Sequence, residues 1–257
     1  MTVSMAAMMG LIGEFLWNTL RVAGFFMVVP IFGNQLVPAR VRLALSVATG
    51  IALTPVLGGA PPLQAFDMSM ATDLFMQVLL AIGVGFAAII FFQLFVIAGQ
   101  FIGMQMGLGF AAMVDPGNGV FVTVWSQFFL MLVTLSFLAL NGHLVLLEVL
   151  VTGFQLYPTG TSLSFDQFAL RIANLGGWMF AGGVLLAIPA VMSLLIVNFT
   201  FGVMNRAAPQ LNIFSLGFPF SLLFGLVIIW FLLHGWADQF QDLASEFLAI
   251  FSTLQGV

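Results

Sequence analysis

Long uncharged apolar stretches, separated by short polar turns, make up most of this chain. A helix that crosses a membrane needs about 20 apolar residues at a rise of about 1.5 Å each. The pattern therefore predicts an all-α membrane protein whose apolar helical segments, about six in number, pack as hairpins and are in several cases kinked or broken. The segments run over residues 11–32, 43–57, 74–104, 120–157, 175–205 and 211–235.

Three of these segments do not have the length of one straight membrane span. The segment 43–57 is short, whereas 74–104 and 175–205 would each form a helix of about 46 Å against about 30 Å of hydrocarbon. Glycine and proline inside a helix weaken or interrupt it. Breaks or kinks are therefore expected at the glycines and the proline inside the two long segments, Gly83, Gly85 and Pro189.

The few charges define the environment of the chain. Charged residues make up 5% of it and the mean hydropathy is +1.19, whereas soluble domains carry about 25% charged residues. Too little polar surface is present to cover a water-soluble particle, so lipid or apolar protein must surround it.

The chain has five scattered arginines and no lysine, which excludes a basic patch for nucleic acid. In the tail, Asp238, Asp242 and Glu246 fall on one helical face and predict a solvated end of a last helix.

One arginine lies inside an apolar segment. Arg21 follows Glu14 by two helical turns on the same face. An arginine at mid-membrane costs about 2.5–3.5 kcal/mol on insertion scales. Two interpretations stay open: Arg21 extends to the nearer membrane surface, or it faces a protein partner or an aqueous lumen.

The glycine- and methionine-rich run Gly103–Gly119 interrupts the apolar pattern. It follows Gly99, and glycines at intervals of four let another helix approach closely. Irregular backbone at membrane depth persists only inside protein or beside water. The run therefore predicts a re-entrant or lumen-facing loop, with an ordinary interfacial loop as the alternative. Candidate sealing residues in or beside this loop, several of them soft and adaptable, are Met104, Met106, Gly107, Phe110, Met113, Asp115 and Pro116.

A second group of candidates serves helix packing and assembly. In the apolar hairpin over about 175–235, Arg206 suits a helix C-terminus, where it faces the negative end of the dipole, and Pro209 prevents the helix from continuing. The candidates in this group, which also includes two glycines of the earlier run, are Gly99, Gly103, Pro189, Asn198, Arg206, Pro209 and Gln210.

Catalytic and metal-binding signals are weak. His143 and Glu148 are about 140° apart around a helix, so they do not share a face. A satisfied polar residue at a helix start is the better interpretation of His143. The chain has no cysteine, no Gly-x-Ser-x-Gly elbow, no HExxH helix and no glycine-rich phosphate loop. We therefore predict no catalytic residue, no metal and no cofactor.

Four runs together resemble the FliR family of flagellar type III export-gate proteins. They are PIFGNQLVPARVRLALS (30–46), GMQMGLGFAAMVDPGNG (103–119), NGHLVLLEVL (141–150) and NRAAPQLNIFSLGFPFSLLFG (205–225). The resemblance extends from about residue 11 to 235 and is far more specific than a single glycine motif.

The resemblance implies a non-enzymatic structural subunit. FliR-like proteins join FliP and FliQ in a hetero-oligomeric, funnel-shaped gate in the bacterial inner membrane, at the flagellar basal body, through which unfolded flagellar subunits pass. FlhB and FlhA are the expected neighbours. In the family, the segment matching 103–119 is a plug that helps close the channel. The single membrane domain 1–257 would then comprise a FliP-like part over about 1–160 and a FliQ-like hairpin over about 175–235.

Two alternative functions remain open at this point. The first is the equivalent subunit of a virulence injectisome, which belongs to a related family. The second is a small membrane transporter or channel acting alone. Such transporters usually carry buried ionisable residues on the transport path, and this chain offers only Arg21, Glu148 and Asp115.

Overall fold

The computed structural model of the chain describes residues 5–34, 37–57, 68–109, 122–158, 165–207 and 213–255. Within these ranges all regular structure is helical, which confirms the predicted fold class. The eight helices are α1 (Met5–Val28), α2 (Ala39–Leu57), α3 (Met68–Gln105), α4 (Val124–Ala139), α5 (Gly142–Leu156), α6 (Phe165–Ala207), α7 (Ile213–His234) and α8 (Trp236–Gln255).

Five of the described helices contain stretches long and apolar enough to cross a membrane. The helices α4 and α5 together form one further candidate if they are a single interrupted span. The predicted number of about six apolar segments is therefore confirmed. The five stretches are Met8–Val28, Ala39–Leu57, Met70–Gln105, Asp166–Ala207 and Gly217–His234.

The two long apolar segments form uninterrupted helices. The helical backbone of α3 continues through Gly83 and Gly85, and that of α6 continues through Pro189, so the breaks expected there do not occur. Instead, the glycines permit close packing. A Cβ atom on Gly83 would lie 2.6 Å from the Phe168 ring, and one on Gly85 would lie 3.2 Å from Val28.

The apolar segment 120–157 is divided into two helices. The helices α4 and α5 are separated by a turn in which Asn141 adopts a φ of 57°, a left-handed conformation that asparagine tolerates better than most residues. His143 is the second residue of α5, so its predicted position at a helix start is correct. It is not fully satisfied, because its Nδ1 atom has no hydrogen-bond partner in the described structure.

The helices group into two compact units that do not follow the order of the chain. The division of the chain into a FliP-like and a FliQ-like part rests on resemblance and stays a prediction. The first unit comprises Met1–Ile90, Leu140–Leu175 and Ala249–Val257, and the second comprises Phe91–Ala139 and Gly176–Leu248.

Helix α1 is the centre of the first unit. It packs on α2, where a Cβ atom on Gly50 would overlap the Thr19 side chain. It also packs on α3, where a Cβ atom on Gly24 would lie 3.1 Å from Ala81 and 3.2 Å from the Val78 carbonyl oxygen. The small residues at these contacts let the helix backbones approach closely.

Arg21 is buried inside the first unit. Its side chain is 3% exposed. Its two terminal nitrogens donate to the carbonyl oxygens of Tyr157, at 2.7 Å, and Gly153, at 2.8 Å. The guanidinium carbon also lies 4.4 Å from the centre of the Phe154 ring. Arg21 therefore compensates the negative C-terminal end of α5, a contact within the chain that the two interpretations drawn from the sequence did not include.

An aromatic core holds the second unit together. The Phe91 ring on α3 contacts Phe240 and Phe247 of α8 at centroid distances of 5.8 and 5.1 Å. Trp236 contacts Phe95 at 5.3 Å, and its ring nitrogen donates to the Ser136 hydroxyl at 2.8 Å. The predicted acidic face of α8 is exposed, as expected of a solvated face. It is formed by Asp238, Asp242 and Glu246.

Candidate functional site

The C-terminal end of α3 is closed by a glycine cap. Gly107 adopts a φ of 87°. Its amide donates to the Met104 carbonyl at 3.0 Å, and the Leu108 amide donates to the Gly103 carbonyl at 3.0 Å. This pair of hydrogen bonds, with a left-handed residue between them, is a Schellman motif. The helix therefore extends two residues beyond Gly103, the predicted start of the loop, and the irregular segment begins at Gly107.

The chain returns to helix at Thr123, which caps the N-terminus of α4. The Ser126 amide donates to the Thr123 hydroxyl at 3.3 Å, the usual hydrogen bond of such a cap. The same hydroxyl donates to the Gly99 carbonyl at 3.2 Å. The Gln100 side-chain oxygen accepts from the Thr123 amide and the Ser126 hydroxyl, both at 3.0 Å. We refer to these four residues, Gly99, Gln100, Thr123 and Ser126, as the stem cluster.

The glycines of α3 face the stem cluster directly. A Cβ atom on Gly99 would lie 2.7 Å from the backbone of Ser126 and from the Trp125 carbonyl oxygen. A Cβ atom on Gly103 would lie 2.6 Å from the Thr123 hydroxyl. The start of α4 therefore approaches α3 more closely than any larger residue would permit. The end of α3 and the start of α4 are consequently held together, and we refer to this junction as the base of the segment 108–122.

Residues of α6 and α7 also contact the end of α3. The Asn198 side chain donates to the Gln105 carbonyl at 3.1 Å, and the Ser221 hydroxyl donates to the Asn198 side-chain oxygen at 2.7 Å. Met106 is 1% exposed and lies in a notch at Gly225, where a Cβ atom would overlap the methionine side chain.

A cavity of about 330 Å³ lies beside these contacts. It is bounded by the end of α3 and by one face each of α6 and α7. Its lining combines apolar side chains, three glycines and three polar side chains. The lining residues are Met104, Gln105, Met106, Gly107, Asn198, Phe201, Gly202, Gly217, Phe218 and Ser221.

In the part of the chain that the structure describes, no three potential histidine or carboxylate ligands lie close enough together to hold a metal ion. The site is instead built from backbone carbonyls, hydroxyls, amides and small residues. Such an arrangement can hold the end of a helix in a fixed position.

Comparison with known proteins identifies the family. Residues 12–247 match the family described as bacterial export proteins, family 1. This chain belongs to that family. Its FliR relatives confirm the resemblance seen in the sequence. The flagellar biosynthetic protein FliR of Escherichia coli K12 is 35% identical over 234 residues, which cover 90% of this chain and 88% of that protein.

Other FliR relatives match over similar lengths. The FliR protein of Pectobacterium carotovorum is 32% identical, over 88% of this chain and 86% of that protein. The FliR protein of Bacillus subtilis is 28% identical, over 88% of each chain. The match therefore extends over most of each of these FliR proteins and is not limited to one shared segment.

The structure brings together some of the candidate residues of this FliR-family chain. Gly99, Gly103, Met104, Met106, Gly107 and Asn198 all lie at the end of α3 or against it. Met104 is exposed, whereas Met106 is buried. Pro189 lies inside α6, and Arg206 lies exposed in the last turn of that helix. The sealing and assembly roles stay predictions. The candidates outside the described residues are Phe110, Met113, Asp115, Pro116, Pro209 and Gln210.

Sequence reasoning missed several residues of this FliR-family chain that contact the end of α3 or the start of α4. Thr123 has the residue type of a helix N-cap, with Ser126 three positions later, and this signal was available. Gln100, Ser221 and Gly225 gave no signal, because their partners are distant in sequence and become neighbours only through helix packing.

Substitution of Gly225 by alanine tests the Met106 notch. The added methyl group would overlap a buried methionine, and such overpacking typically costs about 1–3 kcal/mol. For a chain of this size, each kcal/mol lowers Tm by about 2–4 °C. The double variant Met106→Ala with Gly225→Ala is expected to be more stable than the sum of the two single effects. The measurement is tryptophan-monitored thermal unfolding of the chain extracted in mild detergent.

The matched control for this substitution is Gly202→Ala. Gly202 lies in α6 with no atom within 4 Å of an added Cβ, and alanine favours a helix over glycine by about 1 kcal/mol. Its Tm should be unchanged or raised. Strict additivity of the Met106 and Gly225 effects would show that the two side chains do not compete for one space.

Proposed function

We propose that this chain is the FliR-type subunit of a flagellar type III export gate, where it forms part of the channel with FliP-like and FliQ-like subunits and contributes the plug that seals it. The observation that carries the proposal is the closed base of the segment 108–122. The chain leaves α3 through a glycine cap at Gly107 and returns through the N-cap at Thr123, with the stem cluster joining the two sides.

A seal requires a fixed root and an adaptable surface. The root is provided by the stem cluster on one side and by Asn198 and Gly225 on the other. The segment itself contains Phe110 and Met113, and methionine adapts its shape to whatever it packs against. In this mechanism the chain performs no chemistry. Energy comes from other components, and unfolded flagellar subunits pass when the plug is displaced.

The outer surfaces of α6 and α7 support a role within an assembly. They expose long rows of large apolar side chains, which on a membrane protein contact lipid or other subunits. We assign the lipid- and subunit-facing surface to these rows, with FlhB-like and FlhA-like proteins as further neighbours at the basal body in the inner membrane. Exposed members of these rows include Leu185, Ile196, Phe199, Leu223, Trp230 and Phe231.

The flagellar assignment is favoured over the injectisome alternative by the relatives described above, all of which carry a flagellar name. No described feature favours a transporter acting alone. The one arginine buried in an apolar segment, Arg21, binds helix carbonyls rather than a cavity.

Deletion of residues 110–118 tests the plug. The deletion spares Met106 and Gly107, which are packed and cap the helix, and it also spares Thr123. We expect the assembled complex to conduct ions across the membrane, because the seal is removed while its root remains. The measurement is single-channel conductance of the complex purified from its host membrane and placed in planar bilayers. A replacement of 110–118 by glycine and serine, which keeps the length, should also conduct.

Native mass spectrometry of the same preparations provides the control for assembly. Wild-type and deleted chains should both appear in a large complex with small FliP-like and FliQ-like subunits. An assembled deletion complex with wild-type conductance would contradict the plug. A wild-type chain found only as a monomer in several mild detergents would contradict the gate as a whole.

A further inference from the structure

The carbonyl of the last residue of α3 is bound by a side chain from another helix. The carbonyls of Ile102, Gly103 and Met104 accept backbone amides at 3.0 Å each. The next carbonyl, that of Gln105, accepts the Asn198 amide group at 3.1 Å. Helix ends leave such carbonyls without intrahelical partners. Asn198 therefore supplies a bond that α3 cannot make itself.

Ser221 fixes the orientation of Asn198. Its hydroxyl donates to the Asn198 side-chain oxygen at 2.7 Å, so the amide nitrogen points to Gln105. Ser221 is 5% exposed and lies among apolar side chains of α7. A hydrogen bond in such surroundings is stronger than one in water. The three groups form a continuous chain from α7 through α6 to the end of α3.

The same three residues line the cavity of about 330 Å³. Close packing normally fixes helix ends by contact on all sides. On the side of the cavity the end of α3 has only part of such contact, through Met106, so the hydrogen bond from Asn198 contributes to its position there. Once this hydrogen bond breaks, the cavity leaves space for the end of α3 to move.

We propose that Ser221 and Asn198 form a latch, defined as the hydrogen-bond chain from Ser221 through Asn198 to the Gln105 carbonyl, that couples the α6–α7 pair to the base of the loop 108–122. The latch rests on the proposed function of that loop as a seal. Closed, it holds the end of α3, from which the loop starts, against α6. Open, it releases the last turn of α3 into the cavity, and the root of the loop moves with it.

The input to the latch is a small shift between α6 and α7. Hydrogen bonds weaken steeply once donor and acceptor separate beyond about 3.5 Å. The bond between Ser221 and Asn198 is 2.7 Å long, so a relative shift of about 1 Å breaks it. The outer faces of both helices are exposed and apolar. Rearrangement of whatever covers those faces therefore acts on the loop without touching it.

A single cysteine at position 109 reports the state of the latch. The chain contains no cysteine, and a Cβ atom on Gly109 meets no atom closer than 3.9 Å. The chain carrying Gly109→Cys is assembled in its host membrane and treated with a water-soluble maleimide. We expect Ser221→Ala to speed labelling about tenfold, which corresponds to about 1.4 kcal/mol of lost restraint. Ser221→Thr keeps the hydroxyl and should restore the slow rate.

The matched control is Ser193→Ala on α6. The Ser193 hydroxyl is exposed and donates within its own helix, to the Pro189 carbonyl at 2.7 Å. Its removal should leave the labelling rate of Cys at position 109 unchanged. Asn198→Asp is a second test, because a carboxylate still accepts from Ser221 but does not donate to the Gln105 carbonyl. It should also speed labelling.

The outcomes separate the latch from the seal. Equal labelling rates in the Ser221→Ala, Asn198→Asp and Ser193→Ala chains overturn the latch, whatever the conductance of the 110–118 deletion. Faster labelling with threonine rescue supports the latch, and conductance of the Ser221→Ala complex then shows whether the released root opens the channel. If the complex with the 110–118 deletion does not conduct, the proposed role of the loop as a seal is contradicted. The labelling rates still test the latch independently.

Discussion

Replacement of Gly99 by alanine is expected to destabilise the chain by about 3 kcal/mol, the upper part of the usual range for overpacking. A Cβ atom at this position would lie 2.7 Å from the Ser126 amide nitrogen and from the Trp125 carbonyl oxygen. Both are backbone atoms, so no side-chain rotation relieves the overlap. The helices α3 and α4 must separate, and the hydrogen bonds of the stem cluster lengthen with them.

The measurement for Gly99→Ala is the Tm of the extracted chain, which should fall by about 6–12 °C. Gly177→Ala is the matched control, because it places the same methyl group on a helix with no atom within 4 Å. Its Tm should stay constant or rise, since alanine favours helix. A wild-type Tm for Gly99→Ala would show that α4 does not approach α3 as closely as described.

Loss of the Arg21 side chain is the second large effect. Arg21→Ala removes two charge-assisted hydrogen bonds, each worth about 1.5 kcal/mol or more, and leaves the Tyr157 carbonyl without this donor. It also leaves a space under the Phe154 ring. The expected cost is about 3 kcal/mol or more, measured as a fall in Tm and as faster proteolysis near the end of α5.

Two further variants distinguish geometry from charge. Arg21→Lys keeps the charge but lacks the planar fork that reaches two carbonyls at once, so its stability should lie between wild type and Arg21→Ala. Arg40→Ala removes an exposed arginine in the first turn of α2 and should change stability by less than about 0.5 kcal/mol. If Arg21→Ala and Arg40→Ala behave alike, the buried hydrogen bonds do not stabilise the fold.

Hydropathy predicted the helices. It did not predict where α2 begins, or that the segment 120–157 divides into α4 and α5. Helix α2 starts at Ala39 and so includes Arg40 and Arg42, which the apolar segment 43–57 excluded. The turn at Asn141 was hidden inside an apolar run, because its cause is one left-handed residue and not a loss of hydropathy. Local signals were also overestimated at Gly83 and Gly85. Packing against neighbouring helices outweighs helix propensity there.

The candidate site was predicted only in part, because local spacing is visible in the sequence and contacts between distant residues are not. The spacing of Gly99, Gly103 and Gly107 pointed to a close helix approach, and this is a property of one short stretch of sequence. The partners of that stretch come from residues 123–126, 198 and 221–225, at distances along the chain that no local pattern encodes. Burial of Met106 has the same origin. Its notch is a glycine 119 positions later, since 225 − 106 = 119.

The interleaving of the two units bears on how the chain is made. The second unit begins inside α3, at Phe91, and closes only at Leu248. The first unit begins earlier and takes its last segment from Ala249–Val257. During synthesis, the first unit lacks its last segment and the second unit lacks α8 until the chain has been made to beyond Leu248. The packing of both units therefore waits for synthesis of α8 and of the residues that follow Leu248. A nonsense mutation before Trp236 would leave both units incomplete.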